Sequence, residues 1–155
     1  MLSSSAKRFS SKVLLFNASP RTKNNTMRLI KAAKEGAESV GADVEIVNLF
    51  QLKFKGCNSC LMCKKDKAPP KCYQRDDLSK YLDKVLDCTG FAIGSPVYMG
   101  NLSSSFFQLY ERLTYSNMRY EHGPRFLKLT KKINTGLLLS MGAGQNTFDQ
   151  NYIKN

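Results

Sequence analysis

The sequence predicts an α/β fold in which a doubly wound parallel sheet carries helices on both faces. Short apolar runs alternate along the chain with segments whose apolar residues recur every three or four positions. Strands that alternate with helices in this way favour a parallel sheet. The chain has 155 residues, of which 42% are hydrophobic, so we expect one domain with one core over residues 12–155.

The first half of this domain contains two apolar runs separated by a helical pattern. Residues Lys12–Phe16 (KVLLF) and Val44–Leu49 (VEIVNL) are short and apolar, and they predict buried strands. Gly41 ends the pattern between them, as a C-terminal stop signal of a helix does. The apolar face of that helix consists of Met27, Ile30, Ala33, Ala37 and Val40.

The second half repeats the alternation. Asp76 or Asp77 can cap a helix, and Phe91–Gly94 (FAIG) predicts a third strand. Another helix and a polar loop then precede a fourth strand over Ile133–Met141. The helices have apolar faces formed by Leu78, Tyr81, Leu82, Val85 and Leu86, and by Leu102, Phe106, Leu109, Tyr110 and Leu113. The polar loop spans Ser116–Arg125 and contains His122, the single histidine, which we expect at the surface.

The segment after the second strand is rich in cysteine. Cys57, Cys60 and Cys63 share one two-residue spacing, and Cys72 follows in the same loop, GCNSCLMCKKDKAPPKC. The run C-x2-C-x2-C opens the bacterial ferredoxin pattern for a 4Fe–4S cluster, whereas zinc usually takes its ligands as two separated pairs. The cysteine spacing therefore favours an iron–sulfur site that is formed by residues 57–72.

Three other interpretations of the cysteines stay open. They can be buried core residues or surface thiols in a reducing compartment, or they can bind zinc. A disulfide framework is disfavoured, because five cysteines are an odd number and the sequence shows no secretory signal. Cys88 lies before the third strand and is interpreted as a buried structural residue.

The loop Ser19–Thr26 (SPRTKNNT) joins the first strand to the first helix and predicts a phosphate site. Backbone N–H groups at a helix N-terminus favour an anion, and Arg21 can add a charge-assisted contact. The hydroxyl and amide groups of Ser19, Asn25 and Thr26 can donate hydrogen bonds. No G-x-x-x-x-G-K pattern is present, which favours a monophosphate. An asparagine-rich turn before a capped helix is the alternative.

Two further loops follow the third and fourth strands. In Ser95–Asn101 (SPVYMGN), Tyr98 and Met99 offer apolar contacts to a planar ring, and Gly100 allows close approach of the backbone. Met141–Gln145 (MGAGQ) contains two glycines. Because ligands bind at the carboxyl ends of parallel strands, the three loops together predict a cleft for FMN.

The charge of the chain restricts its partners. Lys and Arg number 24 against 12 acidic residues, a net charge of +12, which favours an acidic partner. Neither a nucleic-acid-binding motif nor an apolar run of about 18 residues is present, so we expect neither nucleic-acid binding nor a membrane span. Residues 1–11 are rich in serine, basic and free of acid. They predict a mitochondrial or hydrogenosome-like presequence, or else a disordered extension of a cytoplasmic protein.

These motifs resemble the iron–sulfur flavoprotein branch of the flavodoxin-like NAD(P)H-dependent FMN reductase superfamily. The resemblance rests on SPR-x3-NT, the C-x2-C-x2-C run, the pair Asp76-Asp77 and SPVYMGN, and it extends from about Lys12 to Met141. It implies a flavodoxin-like sheet of strand order 2-1-3-4 in which the fifth strand is missing or incomplete. An edge left open in this way is one that a partner can cover.

The resemblance also implies the ligands and the reaction. It assigns the FMN phosphate to Ser19, Arg21, Asn25 and Thr26, the flavin ring to Ser95, Pro96, Val97, Tyr98, Met99 and Gly100, and a 4Fe–4S cluster to Cys57, Cys60, Cys63 and Cys72. No acid–base residue is required. Electrons are expected to pass from an acidic ferredoxin or NAD(P)H through the cluster to FMN, and on to oxygen, peroxide, quinones or nitro compounds. A dimer or tetramer is expected, with the cluster of one subunit near the flavin of another.

Two other classes of function remain. One is a cluster-free NAD(P)H:FMN or quinone reductase, in which hydride transfer reaches the flavin directly. The other is a non-catalytic module, either a flavodoxin-like electron carrier or a zinc-stabilised binding domain. The strongly basic charge argues against the carrier, since flavodoxins of that kind are typically acidic.

Overall fold

The computed structural model describes residues 11–119, 128–129 and 131–142, and it confirms the α/β fold. Within these residues the strands are β1 (Lys12–Asn17), β2 (Asp43–Asn48), β3 (Gly90–Tyr98), β4 (Asn101–Leu102) and β5 (Asn134–Ser140). The α-helices are α1 (Asn25–Ser39), α2 (Ser79–Asp87) and α3 (Ser104–Asn117). Two short 3-10 turns, Leu49–Gln51 and Met62–Lys64, flank the start of the cysteine segment.

The parallel sheet has the order β2-β1-β3-β5, which confirms the predicted order 2-1-3-4, since β5 is the strand predicted as fourth. β1 pairs in parallel with β2, where Lys12 lies opposite Asp43. It also pairs in parallel with β3, where Val13 lies opposite Gly90. β5 pairs in parallel with the other edge of β3. The carboxyl ends of β1, β2, β3 and β5 therefore meet at one edge of the sheet.

The sheet separates two apolar clusters. Leu14 and Phe16 pack with α2 and α3 on one face, whereas Leu15 packs with Met27 and Ile30 of α1 on the other. This division follows from the alternation of side chains along β1. Because both faces of β1 are covered, its sequence is continuously apolar rather than alternating.

The third strand is longer than predicted and turns back on itself. It continues through the segment predicted as a loop, and Val97 and Tyr98 pair antiparallel with Leu102 and Asn101 of β4. The turn between them is formed by Met99 and Gly100, whose φ values of 49° and 79° suit a tight hairpin.

The helix ends are set by specific groups. Gly41, with φ of 87°, follows α1 as predicted. Of the two predicted capping residues, Asp76 accepts a hydrogen bond from the backbone of Leu78 at 3.2 Å, just before α2. The carboxylate of Asp77 instead accepts one from the backbone of Lys53 at 2.8 Å.

Several predictions fall on parts of the chain outside the described residues. These parts include residues 1–10 of the predicted presequence, His122 and the glycine-rich loop beyond residue 142. The prediction that a fifth strand is missing or incomplete also concerns residues outside the described ranges. Among the helices of the described ranges, none is both long and apolar enough to cross a bilayer.

Gly94 is expected to be intolerant of a side chain, because β3 and α1 lie very close together there. A methyl group at Gly94 would lie 2.7 Å from Cδ1 of Ile30 and 3.1 Å from Cγ2 of Thr26. Since Ile30 is fully buried, we expect Gly94→Ala to lower the free energy of unfolding by about 1–3 kcal/mol through overpacking. Urea-induced unfolding measures this change.

Gly36→Ala on α1 is the matched control, since a methyl group at Gly36 meets no atom within 4 Å. It should raise the free energy of unfolding by up to about 1 kcal/mol through helix propensity. Equal effects of the two substitutions would contradict the close packing inferred for Gly94.

Candidate functional site

A cleft lies where the carboxyl ends of β1, β3 and β5 meet. It has a volume of about 190 Å³ and brings together the loops that the sequence analysis singled out. Its lining residues are Ser19, Arg21, Asn24, Asn25, Thr26, Pro96, Val97, Tyr98, Ser140, Met141 and Gly142. Seven of the predicted FMN contacts are therefore on this one surface.

One end of the cleft is the N-terminus of α1. The side chain at the capping position, Asn24, accepts no hydrogen bond from the first turn of the helix, and the first turn contains no acidic residue. The N–H groups of this turn are therefore available to an anion. Thr26 is buried and its hydroxyl lies 2.6 Å from the hydroxyl of Ser140, so β5 and α1 are joined at this point.

The loop after β1 is held in shape by short polar contacts. The backbone N–H of Ser19 donates to the Asn17 side chain at 3.1 Å, and Asn17 itself donates to Asn48 at 2.9 Å. The hydroxyl of Ser19 accepts a hydrogen bond from the backbone of Arg21 at 3.2 Å. Asn17 is a residue that the sequence analysis missed, although a buried asparagine at the end of an apolar strand is a usable signal.

The hairpin of β3 and β4 contributes the other wall of the cleft. Pro96, Val97 and Tyr98 line it, and Tyr98 is 44% exposed. Met99 and Gly100 form the hairpin turn and are not among the lining residues; Met99 is 99% exposed. Their contact with a flavin ring stays a prediction that this structure does not test.

Ser95 lies on the buried side of β3 and is not a lining residue either. Its hydroxyl accepts a hydrogen bond from the backbone of Ser103 at 3.0 Å and donates to the Pro96 carbonyl at 2.9 Å. Ser103 in turn donates to the Ala18 carbonyl at 2.6 Å, and its hydroxyl caps α3. These contacts join the ends of β1 and β3 to the start of α3, so Ser95 shapes the cleft from behind it.

The cleft residues suit FMN in two respects. A helix N-terminus without a side-chain cap and an adjacent arginine match a phosphate, and a mostly apolar wall with a half-exposed tyrosine matches a planar ring. Both kinds of group line the same cleft, as a cofactor with a phosphate and a planar ring requires.

The four cysteines predicted as metal ligands line one small pocket. Cys57, Cys60, Cys63 and Cys72 share it with Arg112 of α3. Within the described ranges, however, no three Cys, His or acidic side chains are arranged closely enough to hold a metal ion. The fold therefore brings the predicted ligands to one pocket, and metal binding requires them to move closer together.

The backbone around these cysteines adopts unusual conformations. Ser59 and Leu61 have left-handed φ values of 54° and 57°, which are unfavourable for residues with a side chain. The N–H of Ser59 donates to the sulfur of Cys57 at 3.4 Å. The loop thus turns one N–H group toward a cysteine sulfur, and hydrogen bonds of this kind tune the potential of an iron–sulfur centre.

Burial raises the pKa of the Cys63 thiol, while the charges of Lys64 and Lys128 act to lower it. The neighbouring thiols of Cys72 and Cys57 raise it further. Cys63 is therefore protonated near neutral pH, and a bound metal must displace its proton.

Five basic residues and one acidic residue, Asp66, line a cavity next to Cys63. The cavity has a volume of about 310 Å³, and its walls include Lys64, Lys65, Lys67, Arg119 and Lys128. Lys128 donates to the carbonyls of Cys63 and Ala68, so it also supports the loop. Burial lowers the pKa of Lys128, although the nearby Cys63 acts to raise it.

An ion pair lies at the base of the cysteine segment. Nη1 of Arg112 lies 2.5 Å from Oδ2 of Asp76, and the arginine side chain is fully buried. Burial acts to raise the pKa of the Asp76 carboxyl, but the hydrogen bond and charge of Arg112 lower it below its ordinary value. The sequence analysis missed Arg112, because one basic residue in a helical pattern is usually on a solvated face.

Comparisons with known sequences show which proteins this chain is similar to. The protein family described as NADPH-dependent FMN reductase matches residues 11–147. An iron–sulfur flavoprotein of Archaeoglobus fulgidus is 33% identical over 107 residues, which are 69% of this chain and 51% of the relative. An iron–sulfur flavoprotein of Methanosarcina thermophila is 25% identical over 135 residues, which are 87% of this chain and 65% of the relative. The chain thus spans only about half to two thirds of these curated relatives.

Solved structures share the fold at lower sequence identity. The NAD(P)H:quinone oxidoreductase from Methanothermobacter marburgensis superimposes with a TM-score of 0.66 and 18% identity, covering 89% of this chain and 68% of its own. An azoreductase from Bacillus anthracis gives a TM-score of 0.63 and 17% identity, with coverages of 88% and 71%. At these identities the likeness is one of fold.

The ion pair of Asp76 and Arg112 is expected to make stability depend on pH. Because the folded-state pKa of Asp76 is lowered, its contribution to the free energy of unfolding is complete above the unfolded pKa of about 3.9 and is lost as the pH falls through the folded pKa. Below pH 4 we expect the wild type to lose stability more steeply than Asp76→Asn. Urea-induced unfolding between pH 3 and pH 7 measures both slopes.

Near pH 7, Asp76→Asn should itself lower the free energy of unfolding by about 3 kcal/mol, since it leaves a buried guanidinium without its partner. Asp83→Asn is the control, because Asp83 pairs with Lys71 where both side chains are partly exposed, and its loss should cost less than about 1 kcal/mol. Identical pH profiles for the wild type and Asp76→Asn would rule out this role.

Proposed function

The chain belongs to the NADPH-dependent FMN reductase family, and we propose that it is a flavin-dependent oxidoreductase with an iron–sulfur site. The observation that carries this proposal is the presence, in one domain, of an uncapped helix N-terminus in a cleft and of four cysteines around a separate pocket. The relatives named iron–sulfur flavoproteins support the same combination.

We propose that the cleft binds FMN. The N–H groups of the first turn of α1, together with Arg21 and Thr26, hold the phosphate, because they are the positive and hydrogen-bond-donating groups at that end. Pro96, Val97 and Tyr98 hold the ring and exclude water from one side of it. Ser95 acts through the shape of the hairpin, as its contacts with Ser103 suggest.

We propose that Cys57, Cys60, Cys63 and Cys72 hold a 4Fe–4S cluster. The common pocket and the N–H group of Ser59 near the Cys57 sulfur support this set of ligands. Bound FMN supplies one- and two-electron chemistry, and a bound cluster supplies one-electron chemistry. The chain's own contribution is to position both groups and to set their surroundings.

The electron donor is proposed to be an acidic protein such as ferredoxin, or NAD(P)H. The basic cavity walls next to the cysteines, formed by Lys64, Lys65, Lys67, Arg119 and Lys128, favour an acidic protein surface. The acceptor is proposed to be a small molecule such as oxygen, peroxide, a quinone or a nitro compound. A homo-oligomer is also proposed, since the fully exposed Met99 beside the cleft suits burial against another subunit.

The second candidate function is a cluster-free NAD(P)H:quinone reductase. It is favoured by the cysteine arrangement itself, which among the described residues does not reach metal-binding geometry. In this alternative, the cysteines do not take part in electron transfer and NAD(P)H is the donor.

The cofactor content of anaerobically purified protein decides between the two functions. We expect about four irons and one FMN per chain, with a flavin spectrum over a broad iron–sulfur absorbance. Cys60→Ala should lose most of the iron, keep FMN and lose turnover with reduced ferredoxin, because it removes one exposed ligand. Cys88→Ala is the control, since Cys88 lies in the core and should leave the iron content unchanged. Flavin without iron in the wild type would establish the cluster-free reductase instead.

The phosphate site is tested by comparing FMN with riboflavin. Thr26→Val removes a buried hydroxyl and keeps the shape of the side chain, so the affinity for FMN should fall about tenfold, while that for riboflavin should not change. Fluorescence titration of the flavin-free protein measures both affinities. Thr114→Val is the matched control, because Thr114 bonds the carbonyl of Tyr110 within α3. Equal losses for FMN and riboflavin would place the phosphate elsewhere.

A further inference from the structure

Arg112 is the feature of the described structure that the proposed function does not explain. It is the largest of the fully buried side chains, although an arginine is rarely buried without a specific reason. It lies in α3, outside both the cysteine segment and the flavin loops. Its position on the wall of the cysteine pocket suggests that its role concerns that segment.

The guanidinium of Arg112 bonds both ends of the cysteine segment. Nη1 donates to the carbonyl of Lys55 at 3.2 Å, just before Cys57, and Nη2 donates to the carbonyl of Gln74 at 3.4 Å, just after Cys72. The ion pair with Asp76 fixes the orientation of the guanidinium plane. The planar fork of arginine suits this bridging, and the point charge of a lysine does not.

Neighbouring residues form further hydrogen bonds at the two ends of the cysteine segment. The side chain of Gln74 donates to the carbonyl of Gly56 at 3.1 Å, and the N–H of Cys57 donates to the carboxylate of Glu111 at 3.2 Å. A side chain at Gly56 would lie 2.7 Å from Oε2 of Glu111, so the backbone approaches α3 closely there. All of these contacts are between protein groups.

One N–H donor of Arg112 takes no part in these hydrogen bonds. Its Nε–H is buried and has no hydrogen-bond acceptor among the described residues. A buried donor without an acceptor destabilises the protein, so such a group calls for an explanation. The pocket that Arg112 lines is also lined by the four cysteines, whose sulfurs become strong acceptors when they lose their protons.

We propose that Arg112 is a positioning residue of the cysteine segment. It bridges the two ends of the segment through its Nη atoms, and it holds its Nε–H for a sulfur acceptor in the pocket once a metal centre is present. The hydrogen bond to sulfur rests on the proposed iron–sulfur site, whereas the bridging role does not. Hydrogen bonds to the sulfurs raise the reduction potential of an iron–sulfur centre.

The variant Arg112→Lys keeps a positive charge opposite Asp76 and removes both the fork and Nε–H. In anaerobically purified full-length protein, we expect it to keep the FMN content of the wild type and to contain less than half of its iron. The centre that remains should have a more negative midpoint potential in a redox titration. Arg75→Lys is the matched control, because Arg75 is exposed on the same segment. Full iron content with an unchanged potential in Arg112→Lys would overturn the proposal.

A measurement on the wild type covers the case in which Arg112→Lys does not fold. The Nε–H resonance of Arg112 in a nitrogen-15 spectrum should move downfield, and its exchange with solvent should slow, when zinc is added to iron-free protein as a probe of the four thiols. An unchanged resonance in zinc-bound protein would show that no sulfur accepts from Nε–H.

The failure of the proposed iron–sulfur site can be told apart from the failure of this inference. If wild-type protein contains FMN and no iron, the iron–sulfur site is wrong, and the bridging role is then tested by the alkylation of Cys57 and Cys60 with iodoacetamide. We expect alkylation to be at least tenfold faster in Arg112→Lys than in Arg75→Lys, because the loop is no longer tied at both ends. Equal rates would overturn the bridging role as well.

Discussion

The burial of β1 on both faces and along both edges is the constraint on which the rest of the structure depends. Leu14, Leu15 and Phe16 are each less than 5% exposed, so this strand needs a helix layer on each face and a parallel neighbour on each edge. Because β1, β2, β3 and β5 are parallel, the segments that follow these strands begin at the same edge of the sheet. The candidate cleft is a direct consequence of that packing.

Buried polar side chains fix the loops at this edge more finely than apolar packing can. Ser95 and Ser103 connect the end of β3 to the Ala18 carbonyl, and Asn17 connects the ends of β1 and β2. Arg112 does the same for the cysteine segment. A buried polar group must find its partners or destabilise the protein, so each of these contacts defines one loop position rather than a range of them.

Both candidate sites contain groups whose arrangement does not favour folding by itself. The start of α1 lacks a side-chain cap, Ser59 and Leu61 adopt left-handed backbone conformations, and Nε of Arg112 is buried without an acceptor within the described residues. Each of these features is unfavourable in the absence of a ligand. Such departures from local preference cluster at functional sites, and here they coincide with the two pockets that the motifs indicated.

The sequence by itself determined the succession of strands and helices and the grouping of the four cysteines, because these follow from the local periodicity and spacing of residues. The strand order was implied by the resemblance to a known family and not by any local pattern. Only the tertiary structure decided that SPVYMGN is a hairpin, that Ser95 faces the interior, and that Arg112 lies under the cysteine segment. The third strand continues into this segment because Ser95 and Pro96 pair with Leu139 and Ser140 of β5, which are distant in sequence. A buried arginine likewise depends on partners far from it in sequence, Lys55, Gln74 and Asp76, which no local pattern reveals.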